Sequence, residues 1–157
     1  MRYTLALLLL FSFALSALAQ DLDESKVVST VLDDFHEAAA MADGPRYFGH
    51  FADGAIFLGT DITERWTVEE FKAYAMPHFQ KGQGWTYRSK SRHVYLSKDQ
   101  QTAWFDEILH NEKYGDTRGS GVLVKTGNTW QLSQYHLTLP IPNDLMLQVV
   151  KMIETQP

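Results

Sequence analysis

Residues 102–139 read TAWFDEILHNEKYGDTRGSGVLVKTGNTWQLSQYHLTL, and their pattern determines the architecture predicted for the chain. Three runs rich in β-branched and aromatic residues, Thr102–His110, Arg118–Lys125 and Trp130–Leu139, predict three β-strands. A fourth such run, Trp85–Leu96, precedes them. The connections between the four runs are short, and short connections join antiparallel neighbours. The segment therefore predicts a four-stranded antiparallel sheet.

The residues from Val27 to Leu58 predict two helices and one strand. Apolar residues recur at three- and four-residue spacing over Val27–Asp43, which indicates a long amphipathic helix. Gly44 ends this helix, and Pro45 begins a short second one because a proline at the first helical position loses no hydrogen bond. Ala55–Leu58 then forms a strand that is closed by a glycine.

Two further helices flank the sheet. The first begins at Thr67, where Glu70 three residues later completes a capping box, and Pro77 is expected to bend or end it. The second follows the sheet and is capped by Asn143. Helices on one side of a curved antiparallel sheet define an α+β domain, and the helices and the concave face enclose a cavity.

The N-terminus has the pattern of a secretory signal peptide. Arg2 supplies a positive charge, the apolar run Leu5–Leu18 follows, and Ala-Leu-Ala ending at Ala19 forms a cleavage site. The run is shorter than the roughly twenty residues that span a bilayer, although an uncleaved anchor is the alternative. We expect export to a periplasm or beyond, with no membrane attachment after cleavage. The predicted divisions are a signal peptide (1–19), a short lead (20–26) and one domain (27–154).

Composition argues against nucleic-acid binding and against thiol chemistry. The chain carries 14 basic and 19 acidic residues and has no cysteine. Arg88, Lys90 and Arg92 alternate along one predicted strand, and we interpret them as a solvated face rather than a basic patch. Without disulfides, the domain depends on its core, to which four tryptophans, seven tyrosines and nine phenylalanines contribute.

Asp106 and Glu107 are the first candidates for chemistry. Neighbours in a strand point to opposite faces, so only one of them faces the pocket. We favour Asp106, which shares its side with Trp104 and Ile108. A carboxylate buried among apolar side chains holds its proton more tightly and acts as a base near neutral pH. The alternative is a structural ion pair between Asp106 and Arg118.

Five other residues complete the predicted site. His136 either transfers a proton or hydrogen-bonds across the sheet. Arg118 suits a carboxylate-bearing ligand. Trp66 closes one end of the cavity or packs in the core, and Tyr47 points its hydroxyl into the pocket. Trp104 completes the predicted ligand-binding set.

No metal or cofactor is expected. His36-Glu37 begins a zinc-protease pattern, but position 40 is Ala rather than the second histidine. Gly119-Ser120-Gly121 lacks the lysine and the following helix of a phosphate-binding loop. Four other histidines also lack the spacing of metal ligands: His78, His93, His110 and His136.

Three local motifs resemble the SnoaL-like branch of the nuclear transport factor 2-like superfamily. They are GTDITERW (59–66), AWFDEIL (103–109) and WQLSQYHLTLPIPN (130–143). The resemblance implies a conical α+β fold whose pocket lies between the long helix and the sheet. It also implies a homodimer that forms through the outer face of the sheet.

The resemblance implies less about activity, since this superfamily contains isomerases, cyclases, dehydratases and many proteins without a known reaction. We expect an exported domain that binds a small, partly apolar molecule in the cone pocket. One alternative is an enzyme of the isomerase, cyclase or dehydratase type that uses Asp106 or His136 as general base. A second is a non-catalytic dimeric interaction module.

Overall fold

The structure is a computed structural model and describes residues 23–155. The predicted signal peptide (1–19) and the first residues of the predicted lead lie outside this range. Within it, no helix combines the length and the apolar character needed to cross a membrane.

Helices and strands follow one another in nearly the predicted order. The segment 59–66, predicted as a turn, also contributes a short strand. In chain order, the elements are α1 (Glu24–Ala40), α2 (Gly44–Gly49), β1 (Phe51–Leu58), β2 (Arg65–Thr67), α3 (Val68–Phe79), β3 (Arg88–Leu96), β4 (Thr102–Asn111), β5 (Gly115–Thr126), β6 (Thr129–Thr138) and α4 (Met146–Glu154).

One six-stranded sheet has the order β2-β1-β6-β5-β4-β3. The predicted antiparallel meander of β3 to β6 is confirmed. The parallel pairing of β1 with β6 was not predicted, because it joins strands that are far apart in the sequence. It extends the sheet beyond the meander and brings the β1–β2 turn beside the end of β6.

Helix α1 begins earlier and ends earlier than its apolar pattern predicted. Asp23 caps its first turn by accepting from the Ser25 amide, and the helix ends at Ala40 rather than at Gly44. Ala42 takes the left-handed conformation with φ 56°, and the Asp43 N–H donates to the Ala38 carbonyl. This bond and the left-handed Ala42 are features of a Schellman motif, in which alanine here occupies the position usually held by glycine.

The core lies between the helices and the inner face of the sheet. The start of α1 is fixed there by Glu24, which accepts from Lys125 Nζ at 2.6 Å and from Trp130 Nε1 at 2.7 Å. The most deeply buried side chains come from α1, α2 and the strands β4 to β6: Val28, Leu32, Phe35, Tyr47, Leu109, Leu123, Trp130 and Leu132.

The two outer helices confirm one predicted cap and not the other. Thr67 and Glu70 form the predicted capping box of α3, and that helix ends two residues after Pro77. Asn143 does not cap α4, which has Leu145 at its N-cap and no side-chain cap. No residue of α4 is buried, so its apolar stripe is not part of the described core.

Candidate functional site

Asp106 does not face the interior, and the orientation predicted for it is wrong. Its side chain is 49% exposed on the outer face of the sheet, where Asp106 Oδ1 lies 3.5 Å from His93 Nδ1. The inward side of β4 belongs instead to Phe105, Glu107 and Leu109, which are all buried. Burying Phe105 and Leu109 determines which side faces the helices, and the alternation of the strand then turns Glu107 inward.

His136 and Arg118 also lie on the outer face. A row of directly paired residues runs across four strands as His93, Asp106, Ser120 and His136. Asp106 and His136 are thus two strands apart, about 10 Å, with Ser120 between them. Arg118 is exposed, and the ion pair proposed between Arg118 and Asp106 is absent among the described residues.

The three predicted aromatic residues fall in three different places. Trp66 lines a cleft at one end of the sheet. Tyr47 is buried in the core, stacked on Phe35 at 4.6 Å, and its ring does not line that cleft. Trp104 lies on the outer face, 46% exposed, and stacks on Tyr95 at 5.9 Å. The pocket positions predicted for Tyr47 and Trp104 are therefore wrong.

Inside the domain, His36, Arg92 and Glu107 form a buried polar cluster. His36 Nε2 lies 2.7 Å from Glu107 Oε1, and Arg92 Nε donates to Glu107 Oε2 at 2.8 Å. Arg92 Nη1 also donates to the Ser29 carbonyl at 2.8 Å and to Asp33 Oδ1 at 2.7 Å. The cluster therefore ties α1 to strands β3 and β4.

The cluster keeps Glu107 ionised although its side chain is fully buried. Burial by itself raises the pKa of Glu107, but the hydrogen bonds and charges of His36 and Arg92 outweigh it, and the pKa lies below its ordinary value. A carboxylate only accepts, so His36 Nε2 is the donor in their hydrogen bond. Burial and the charge of Glu107 raise the pKa of Tyr135 well above its ordinary value, so this tyrosine stays neutral.

A glycine makes room for this carboxylate. Gly119 faces Glu107 across β4 and β5, and a Cβ at Gly119 would lie 2.8 Å from both Glu107 Oε1 and Tyr135 Oη. Real Cβ atoms do not approach so closely, so a larger residue would displace the carboxylate or the phenol. Position 119 on the neighbouring strand β5 therefore has to be glycine, because Glu107 enters the core opposite it.

The sequence interpretation missed two members of the cluster. Arg92 was interpreted as one of three solvated cations, but a bulge between Ser89 and Ser91 shifts the alternation and turns Arg92 toward α1. His36 was considered only as a zinc ligand. Its spacing of four from Leu32, on the apolar stripe of α1, was the available signal that it needs a buried polar partner.

A cleft of about 230 Å³ opens at the other end of the sheet, where α3, the β1–β2 turn and the β4–β5 turn meet. Trp66 forms part of its wall and stacks on Tyr74 at 5.1 Å and on Phe71 at 5.4 Å. We call it the aromatic cleft, and its lining residues are Phe57, Gly59, Thr60, Glu64, Trp66, Phe71, Tyr74, Trp85, Tyr87, Tyr114 and Leu137.

Glu64 is the charged residue of the aromatic cleft. Its carboxylate accepts from the Asp61 amide at 3.2 Å, and in residues 23–155 it forms no ion pair. Gly59 makes room for it, since a Cβ there would collide with the carboxylate. Burial, Tyr114 and Glu64 together raise the pKa of Tyr87, which keeps that hydroxyl neutral.

A second groove lies on the opposite side of the β1–β2 turn. It has a volume of about 400 Å³, and Gly59, Thr60 and Glu64 line both this groove and the aromatic cleft. His136 and Arg65 line the groove. His136 thus lies at the edge of a surface depression, separated from the aromatic cleft by the turn.

No metal site is formed by the described residues. Between residues 23 and 155, no three His, Asp or Glu side chains converge in a way that would hold an ion. Polar groups occur in the buried cluster, in the outer row and in the aromatic cleft, whose wall contains a carboxylate and hydroxyls. Of these, the aromatic cleft combines an apolar surface for a ligand with polar groups that would orient it.

The chain belongs to the SnoaL-like domain family, whose model matches residues 28–142. This match and the fold together identify a member of the nuclear transport factor 2-like superfamily, as the three motifs predicted. Among curated proteins, no sequence matches the chain significantly.

Solved structures share the fold at low sequence identity. A nuclear transport factor 2-like protein of unknown function from Pseudomonas putida superposes with a TM-score of 0.64 at 12% identity, covering 77% of this chain and 89% of the other. A proposed dehydratase of the same superfamily from Streptomyces avermitilis gives 0.62 at 13%, with 76% and 97% covered. A proposed scytalone dehydratase from Novosphingobium aromaticivorans gives 0.64 at 11%, with 77% and 87% covered. Such low identities establish the shared architecture alone.

Proposed function

We propose that this chain is a binding protein for a small, partly apolar molecule, which occupies the aromatic cleft. The observation that carries the proposal is the composition of the cleft wall, where indole and phenol rings line the same cleft as the Glu64 carboxylate, which forms no ion pair among residues 23–155. Aromatic walls contribute contact area, and a few polar groups fix the orientation of a ligand. With about 230 Å³, the cleft fits a ligand smaller than the drug-sized molecules that fill pockets of roughly 300 Å³ or more.

The test compares two tryptophans that differ in place but not in type. Trp66 lines the cleft and stacks on Tyr74, whereas Trp104 stacks on Tyr95 on the outer face. Native mass spectrometry and ligand-observed NMR with a fragment library would measure binding to the wild type, Trp66→Ala and Trp104→Ala. We expect ligands to bind the wild type and Trp104→Ala and to be lost from Trp66→Ala. Equal binding by both variants would refute the cleft as the site.

A catalytic role of the same cleft is a second candidate, favoured because Glu64, Tyr87 and Tyr114 line it together and, besides burial, Tyr114 and Glu64 both raise the pKa of Tyr87. A carboxylate that removes a proton beside a carbonyl, with neutral hydroxyls to stabilise the oxyanion, supports isomerase or dehydratase chemistry. Asp106 and His136, the bases named from the sequence, serve this alternative only if the substrate binds on the outer face. Loss of turnover in Glu64→Gln but not in Asp106→Asn would favour the cleft, and the reverse result the outer face.

We also propose a homodimer through the outer face of the sheet. Tyr95 and Trp104 are 47% and 46% exposed there and form one stacked apolar pair. Light scattering after size exclusion should give twice the chain mass for the wild type and for Ile62→Arg, whose side chain is 98% exposed in a turn. Trp104→Arg should be monomeric. A monomeric wild type at high concentration would rule out the dimer and with it the interaction-module alternative.

Export is proposed on the N-terminal pattern alone, with cleavage after Ala19. The intact mass of the protein recovered from the exported fraction tests it. A chain that begins at Gln20 supports the proposal, whereas retention of residues 1–19 in the cell fraction contradicts it.

A further inference from the structure

We infer that the ligand of the aromatic cleft is an organic cation, with an ammonium group placed among the rings and facing Glu64. This inference rests on the proposed function and adds the chemical class of the ligand. Glu64 is the one charged side chain among the lining residues, all of which belong to the described part of the chain.

The Glu64 carboxylate has few hydrogen-bond partners and no ion-pair partner within the described structure. Glu64 is partly buried, and the one protein donor to its carboxylate in the described structure is the Asp61 amide. A neutral apolar ligand that filled the cleft would remove water from this carboxylate without replacing its interactions, which is unfavourable. A cationic ligand offsets the loss of hydration with an ion pair. Of two ligands that fill the cleft equally well, the cationic one should therefore bind more tightly than the neutral one.

The walls of the aromatic cleft also favour a cation. Aromatic faces attract cations through their quadrupole, with indole the strongest, and cages of several rings recognise quaternary ammonium groups. Trp66, Tyr74, Trp85, Tyr87 and Tyr114 contribute five such rings to one cleft. The net charge of the whole chain, −5, also favours the approach of cations.

One side chain beside the cleft works against a cation and sharpens the test. Lys113 Nζ lies 4.9 Å from the centre of the Tyr114 ring, so the chain already places an ammonium over one cleft aromatic. Lys113 forms no ion pair with Glu64 in the described structure. A bound cation would be repelled by Lys113 and attracted by Glu64, and the two substitutions should therefore act in opposite directions.

The experiment uses pairs of probes that have the same shape but differ in charge. Choline and 3,3-dimethyl-1-butanol differ only in the replacement of the nitrogen cation by carbon, and tyramine and tyrosol differ in ammonium against hydroxyl. Binding to the folded protein would be measured by tryptophan fluorescence and ligand-observed NMR. We expect at least one cation to bind about tenfold more tightly than its neutral counterpart.

Charge variants assign the preference to the cleft. Glu64→Gln keeps the acceptor for the Asp61 amide but removes the charge, and it should abolish the tenfold preference. Glu69→Gln removes an exposed carboxylate from α3, outside the cleft, and should leave it unchanged. Lys113→Gln should tighten cation binding by a few fold, which a merely structural role of Glu64 would not produce.

Every outcome decides the inference. Preference for the cations that is lost in Glu64→Gln supports it, and a preference that persists in Glu64→Gln overturns it. Neutral probes that bind as tightly as the cations, or cations that fail to bind while fragments bind in a Trp66-dependent way, overturn the cation class but leave the proposed function standing. Failure of all probes and of the fragment library, with no difference between Trp66→Ala and the wild type, overturns both.

Discussion

The buried polar cluster and the aromatic cleft each hold one carboxylate among aromatic rings, and the two carboxylates differ in their partners. Glu107 is 1% exposed and is bound by both His36 and Arg92. Glu64 is partly exposed and has no ion-pair partner in residues 23–155. In each region a glycine on an adjacent segment makes room for the carboxylate, Gly119 for Glu107 and Gly59 for Glu64.

The difference separates a structural role from a binding role. A buried charge has to be fully paired, because removing it from water is unfavourable unless other charges and hydrogen bonds replace the hydration. The cluster meets that condition for Glu107, since His36 and Arg92 bind both of its carboxylate oxygens, while Arg92 Nη2 is a buried nitrogen without a hydrogen-bond partner in the described structure. The carboxylate of the cleft meets it only with water or with a ligand, so this region has the capacity for recognition.

The largest loss of stability is expected from breaking the buried polar cluster. Glu107→Ala leaves Arg92 and His36 buried without their partner, and should lower the free energy of unfolding by about 3–5 kcal/mol. Urea denaturation followed by tryptophan fluorescence measures it. Asp106→Ala, the next residue on the same strand but half exposed, is the matched control and should lose about 1 kcal/mol or less. Equal losses in the two variants would show that the cluster does not stabilise α1 against the sheet.

A pH dependence should accompany the cluster. The pKa of Glu107 lies below its ordinary value of 4.5, so its contribution to stability is fully present above that value and is lost as the pH falls through the lowered pKa. The free-energy difference between the wild type and Glu107→Gln should therefore be large at pH 7 and shrink below pH 4.5. Urea denaturation at a series of pH values measures this difference. A difference that stays constant down to acid unfolding would contradict the ionised pair.

A smaller loss of stability is expected on breaking an ion pair that is partly exposed rather than buried. Arg46 pairs with Asp34 and with Glu37, and the arginine side chain is 32% exposed. Arg46→Ala should lower the free energy of unfolding by about 1 kcal/mol or less, since water screens the exposed charges. Thermal and urea unfolding measure it. A loss as large as that of Glu107→Ala would mean that pairing rather than burial sets the contribution.

The smallest effect on stability is expected at the cleft. Glu64→Gln retains the hydrogen bond from the Asp61 amide and removes a charge without a partner, so the free energy of unfolding should change by about 0.5 kcal/mol or less. The same variant is expected to abolish the tenfold preference for cationic ligands. A clear loss of stability, measured by urea denaturation, would assign Glu64 a structural role in the β1–β2 turn and weaken the contrast with Glu107.

Periodicity and capping residues determined much of the fold. The α+β class, the antiparallel meander and the capping box at Thr67 all follow from local rules that act within a few residues. Boundaries were displaced by two or three residues where a local detail intervened, such as the left-handed Ala42 at the end of α1. These features depend on residues that are close together in the sequence, and they could therefore be predicted from the sequence.

The location of the site was decided only by the tertiary structure. The alternation of β4 separates Asp106 from Glu107, but which of them faces the helices depends on which face covers the core. The bulge at Ser89–Ser91 turned Arg92 inward, and the parallel pairing of β1 with β6 placed the β1–β2 turn beside Leu137 in the cleft. Burial and pairing between distant segments create a site, and neither is encoded in the spacing of residues along one strand.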